Sequence, residues 1–205
     1  MKKQLLYIHG GEAYSDYKKY LKHLKTVPIE APVEDSERPV RWTDTLRDAL
    51  GEEWEVLKPT MPGKHNAKYE EWKIWFERHL EFLRDGAVLL GWSQGGYFLT
   101  KYLVENKLKL KIKALFLVAA PFKPADFEGE DGGDFAFDTK NVGEVAKQVE
   151  AVYVLHSKDD PVVPHEHGQL YHDNIPDSTF MSFNTRGHFL VEDLPELIEK
   201  IKGLK

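Results

Sequence analysis

Short apolar runs alternate with longer amphipathic ones from one end of the sequence to the other, and no other feature narrows the fold as much. Residues 5–8, 55–57, 87–90, 114–118, 151–155 and 179–183 are short, rich in aliphatic or β-branched side chains, and mostly end at Gly, His or Pro. Such runs predict six strands. Several lack polar alternation, as strands covered on both faces do. Between them, residues 16–24, 43–50, 67–83, 95–106, 142–148, 165–171 and 195–201 read as helices. In the third, Trp72, Trp75, Phe76, His79, Leu80 and Leu83 recur at helical spacing, a stripe suited to packing against a sheet. This alternation builds a parallel α/β sheet rather than a sandwich or a bundle.

The chain has 205 residues, 41% hydrophobic and 30% charged, enough to bury one core beneath a soluble surface. A single domain over 1–205 is expected. The net charge of −6 and the lack of a basic run argue against nucleic acid as a partner. With no cysteine, disulfides, thiolate metal sites and Cys nucleophiles are excluded. The most continuous apolar stretch, residues 114–122, is far shorter than the ~20 residues of a membrane helix. Met1-Lys2-Lys3 runs directly into Leu5-Leu6-Tyr7-Ile8 without a signal-peptide pattern, so a cytoplasmic, unprocessed protein away from the membrane is expected. Two stretches are irregular, 27–41 and 121–138. Segments of this kind serve as lids, as binding loops or simply as acidic surface.

Chemistry concentrates where the third strand meets the fourth helix. Gly91-Trp92-Ser93-Gln94-Gly95 is a G-x-S-x-G pattern in strand-then-helix context. The turn is so tight that a Cβ at the glycine positions would strike neighbouring backbone, and it holds the serine hydroxyl clear of the sheet. Ser93 is therefore the candidate nucleophile. A serine hydroxyl needs a base, and the base needs an orienting group. The loop after the fifth strand, His156-Ser157-Lys158-Asp159-Asp160-Pro161-Val162-Val163-Pro164, offers carboxylates. The loop after the sixth, Asn184-Thr185-Arg186-Gly187-His188-Phe189, offers an imidazole. All three groups fall at the carboxyl edge of one parallel sheet, where α/β active sites form.

With nucleophile, acid and histidine in that order, the chain resembles the α/β-hydrolase family. Its size, Gly91-Trp92-Ser93-Gln94-Gly95, Asp159-Asp160-Pro161-Val162-Val163-Pro164 and Gly187-His188-Phe189 are similar to the small serine hydrolases of the retinoblastoma-binding-protein-9 or YdeN-like group. The resemblance implies a minimal six-stranded parallel sheet of order 2-1-3-4-5-6 with helices on both faces and no large cap domain. It also implies Ser93 as nucleophile, His188 as general base and Asp160 as orienting acid. Asp160 is preferred to Asp159 because the family's acid directly precedes a segment like Pro161-Val162-Val163-Pro164. Oxyanion donors would be the N–H groups of Gln94 and Gly11, the latter following His9-Gly10 as in the family. His9 is better explained as holding that loop by hydrogen bonds.

The expected activity is cofactor-free hydrolysis of a small ester, thioester or amide, with short-chain carboxylesters favoured because no cap encloses a long substrate. Trp92, Phe122, Val163 and Phe189 adjoin the candidate site and are expected to line its pocket, unless they belong to the core. His156, His165, His167 and His172 cluster in sequence but match no metal-ligand spacing, so no metal is expected. Two other readings stay open. One is a protein-binding module with a vestigial site, its partner unspecified; the other is different chemistry on the same fold, such as acyl transfer or a haloperoxidase-like reaction.

Overall fold

The computed structural model describes residues 1–29, 38–124 and 131–204. Residues 30–37 and 125–130, parts of the two irregular stretches, lie outside the described residues. Strands β1 (Lys3–Ile8), β2 (Trp54–Leu57), β3 (Ala87–Trp92), β4 (Ile112–Val118), β5 (Val152–Ser157) and β6 (Thr179–Phe183) form one parallel sheet in the order β2-β1-β3-β4-β5-β6.

Successive residues of a strand point to opposite faces, and here both faces are apolar. Leu6, Ile8, Leu89, Leu115, Leu117 and Val154 belong to one core. Leu5, Tyr7, Val88, Leu90, Phe116, Val118 and Leu155 belong to the other. Over the first face pack α3 (Tyr69–Leu80), α4 (Gln94–Glu105) and α5 (Glu166–Asn174), through Trp72, Phe76, Phe98, Tyr102 and Tyr171 among others. Over the second pack α2 (Trp42–Leu50) and α6 (Pro195–Lys202), through Trp42, Leu46, Leu197 and Ile201. Helix α1 (Tyr17–Thr26) buries no side chain. The architecture is the α/β-hydrolase fold with the expected strand order, and no cap domain is evident among the described residues.

Two element readings shift for clear local reasons. The third helix begins at Tyr69 rather than at 67 because Ala67 N–H is taken by the Glu12 carbonyl and Asp134 accepts from Tyr69 N–H. It ends at Leu80, where Phe82 and Leu83 donate to carbonyls three residues back, the tightening common at helix ends. The segment expected to be helical at 142–148 is a 3-10 helix, Thr139–Lys147, started by Asp138 accepting from Lys140 N–H. A threefold repeat brings Val142 and Val145 to the same side, and both are buried.

The register aligns the strand ends. Ile8 of β1 pairs with Gly91 of β3, Trp92 with Val118 of β4, and Ser157 of β5 with Phe183 of β6. The loops after β1, β3, β5 and β6 therefore emerge together at the carboxyl edge, which sets the place of the site.

Candidate active site

Ser93 joins β3 to α4 with φ 52° and ψ −124°, a strained left-handed conformation for a non-glycine residue. The turn is closed from both sides. Ser93 N–H donates to Val118 O (2.8 Å), and Ser93 O accepts from the Gly96 and Tyr97 amides. A Cβ at Gly95 would lie 2.2 Å from Ile8 O, and one at Gly91 would lie 2.6 Å from Gly96 Cα. The two glycines of the motif are thus required by backbone contact on either side of the serine.

Asp160 begins the turn after β5. Its Oδ1 accepts the amides of Val162 (2.8 Å) and Val163 (3.0 Å), and its Oδ2 lies 2.9 Å from His188 Nδ1. A carboxylate can only accept, so Nδ1 carries the proton and Nε2 keeps its lone pair. The Asp160 side chain is fully buried and that of His188 is 8% exposed. Between the two adjacent aspartates the geometry discriminates: it is Asp160 that meets the imidazole. Asp159 turns instead to the Ser157 hydroxyl (2.5 Å) and the Gly187 amide (2.8 Å). Those two donors hold its carboxyl below the usual carboxylate range.

Ser93 and His188 line one cleft of about 340 Å³ together with Gly10, Gly11 and Trp92. No hydrogen bond joins the Ser93 hydroxyl to the imidazole. A Cβ at Gly10 would approach Ser93 Cβ to 3.3 Å, so the loop after β1 lies directly against the serine. The backbone N–H groups of Gly11 and Gln94 donate to no protein acceptor among the described residues. Gln94 is the first residue of α4, where orphan amides and the positive end of the helix dipole favour an anion.

His9 does hold its loop: Nδ1 contacts Gly10 O (2.5 Å), and Nε2 accepts from Met61 N–H (2.8 Å). That pairing requires the neutral ring, and burial lowers its pKa. The remaining histidines are spent separately. His156 Nε2 bonds Val163 O, His167 Nδ1 accepts from Phe122 N–H, His165 meets Ser182, and His172 meets Ser178. Among the described residues no group of His, Asp or Glu is arranged to hold a metal ion. No helix among them is long and apolar enough to cross a membrane.

Of the four residues expected to line the pocket, Trp92 does so. Its Nε1 donates to His188 O (3.0 Å) and its ring lies 5.5 Å from the imidazole. Phe122, Val163 and Phe189 do not line this cleft and are buried at 6%, 2% and 1% exposure. Phe122 packs on Tyr171, Phe189 packs on Phe183, and Val163 accepts from His156. Val162 and His188, the chain neighbours of Val163 and Phe189, face the cleft, and the adjacent side chain then turns inward. The walls contain residues that the sequence did not point to, among them Glu12, Arg41, Lys64 and His65. They lie in loops without periodicity, where only Glu12 carried a signal, as the continuation of His9-Gly10-Gly11.

A serine on a strained strand-to-helix turn, sharing a cleft with a carboxylate-bound histidine at the edge of this sheet, defines the α/β-hydrolase class. The serine hydrolase family model matches residues 33–200, and the chain belongs to that family. The solved ydeN gene product from B. subtilis is similar across nearly its whole length, with TM-score 0.68, 19% identity, and 99% of this chain and 98% of that chain covered. The esterase domain of a Rhodothermus marinus protein is similar at TM-score 0.61 and 16% identity, covering 98% and 85%. A meta-cleavage product hydrolase from Pseudomonas fluorescens is similar at TM-score 0.65 and 12% identity, covering 98% and 90%. No curated protein shows significant sequence similarity.

Proposed function

We propose that this hydrolase cleaves a small ester, thioester or amide through an acyl-enzyme on Ser93, short-chain carboxylesters being the favoured class. One observation carries the reading: His188, its Nδ1 held by the buried Asp160 carboxylate, shares the cleft of the elbow serine. With Nδ1 protonated, Nε2 is free to take the Ser93 proton as Oγ attacks the carbonyl carbon. The oxyanion is received by the Gly11 and Gln94 N–H groups. As the tetrahedral intermediate collapses, His188 returns the proton to the leaving oxygen, sulfur or nitrogen. Water, deprotonated in turn by His188, then releases the acid and restores Ser93. Throughout, Asp160 stabilises the imidazolium. The esterase among the solved neighbours is consistent with this substrate class.

The test is labelling by a fluorophosphonate, wild type against Ser93→Ala, beside a series of short p-nitrophenyl esters. Labelling that vanishes in the variant, with turnover of the short esters, supports the reading. A folded wild type that neither labels nor turns over would exclude it in favour of a binding module.

A further inference from the structure

The cleft of Ser93 and His188 also holds two cations that the hydrolytic steps leave unused. Arg41 and Lys64 line it, and neither side chain has a carboxylate partner among the described residues. Arg41 is half-buried. The nearby acid is already committed: Asp44 pairs with Arg38 (3.2 Å) and accepts the backbone N–H of Arg41 (3.0 Å).

Both cations are anchored to the loops that frame the reaction. Trp42, next to Arg41, donates its backbone N–H to Val191 O and its Nε1 to Phe189 O, each at 2.9 Å. Arg41 is thereby tied to the segment that carries His188. Lys64 O accepts from Glu12 N–H (2.8 Å) and stands 2.8 Å from where a Gly11 Cβ would be. Lys64 is thereby tied to the loop that carries the oxyanion amide. The cations thus flank the serine from its histidine side and its oxyanion side.

Among the described residues the lining contains one carboxylate, Glu12, whose oxygens face His23 (3.7 Å) and His65 (3.9 Å). Among the described lining residues Arg41 and Lys64 outnumber that carboxylate even with both of those rings neutral. A space of about 340 Å³ is near the lower end for a small-molecule site, so a group held by Arg41 or Lys64 there lies within reach of Ser93.

Resting on the hydrolase reading above, we propose that the substrate carries a carboxylate close to its scissile carbonyl, and that Arg41, assisted by Lys64, binds it. The guanidinium fork fits a carboxylate in two parallel hydrogen bonds, and partial burial strengthens the contact.

Two ester pairs test this. Mono-p-nitrophenyl succinate against p-nitrophenyl butyrate places the anion on the acyl side, and 4-carboxyphenyl acetate against phenyl acetate places it on the leaving side. In at least one pair the anionic ester should have the higher kcat/KM, by roughly tenfold, as expected of one charge-assisted contact. The preference should shrink as salt is raised. Measured as a ratio within each variant, it should collapse in Arg41→Gln, fall in Lys64→Gln, and persist in part in Arg41→Lys. Near-ultraviolet circular dichroism checks folding, and the exposed Lys64 carries the test if Arg41→Gln does not fold. Ser93-dependent turnover with a ratio near one in both pairs, or a ratio unmoved by every variant, overturns the proposal. Turnover that survives Ser93→Ala, or none from a folded wild type, removes the hydrolase reading and this proposal with it.

Discussion

Asp159 and Asp160, adjacent in the chain, grip adjacent residues of the histidine loop: Asp159 takes the Gly187 amide at 2.8 Å, and Asp160 takes His188 Nδ1 at 2.9 Å. One fixes backbone and the other fixes the ring, so their substitutions should separate. Asp160→Asn leaves an amide that can donate toward Nδ1 and so stabilise the wrong tautomer; kcat should fall by about 10³–10⁴. Asp159→Asn should cost far less, at most roughly tenfold, because the amide Oδ1 can still accept the Ser157 hydroxyl and the Gly187 N–H and Arg186 N–H still donates to Ser157 Oγ. Steady-state kinetics on a p-nitrophenyl ester measures both.

Ser93→Ala and His188→Ala should each lower turnover by ~10⁵ or more, and the double variant should lose little beyond either one, since the groups act as a unit. Additive losses would show that the two residues work separately.

Gly95→Ala would push a Cβ to 2.2 Å from Ile8 O, a backbone atom of a central strand that cannot step aside. Destabilisation of ~3 kcal/mol or more is expected, read as a lower urea midpoint or the absence of soluble protein. Gly51→Ala is the contrast. Its added Cβ meets nothing within 4 Å, so its cost is that of the left-handed backbone at φ 85° alone.

Burial pushes His156 down to about 4 from its ordinary 6.5. Because the unfolded chain binds that proton more readily, stability is complete above about pH 6.5 and is lost as pH falls toward 4. The loss should be on the order of 3 kcal/mol. Urea midpoints between pH 4 and 8 should show this slope, and His156→Gln should flatten it whatever its effect at pH 7.

Much of this was legible in the sequence because it depends on local rules. Strand–helix alternation marks a covered parallel sheet, and Gly91-Trp92-Ser93-Gln94-Gly95 specifies a turn that little else can make. What was not legible depends on direction or on long-range contact. Side-chain chemistry alone does not tell Asp159 from Asp160; the preference for Asp160 comes from the resemblance through Pro161-Val162-Val163-Pro164, and its physical reason is that the Val162 and Val163 amides aim Asp160 inward. Val163 and Phe189 adjoin cleft residues in sequence, yet their side chains are buried away from it, as is that of Phe122. Arg41 reaches the site only because Trp42 bonds across to Phe189 and Val191, some 150 positions on, a partnership with no periodic signature.

The close seating of Gly95 on the Ile8 carbonyl bears on how activity returns during refolding. Two segments far apart in sequence, the β1 end with its following amides and the serine turn, interlock through backbone rather than through adjustable side chains. An intermediate in which β1 had not yet docked on β3 could bury hydrophobic surface and form helices while remaining unable to hydrolyse anything. In a stopped-flow experiment, recovery of catalysis should therefore lag helical ellipticity and coincide with the final cooperative phase, making the enzyme's own turnover a reporter of when its central strands meet.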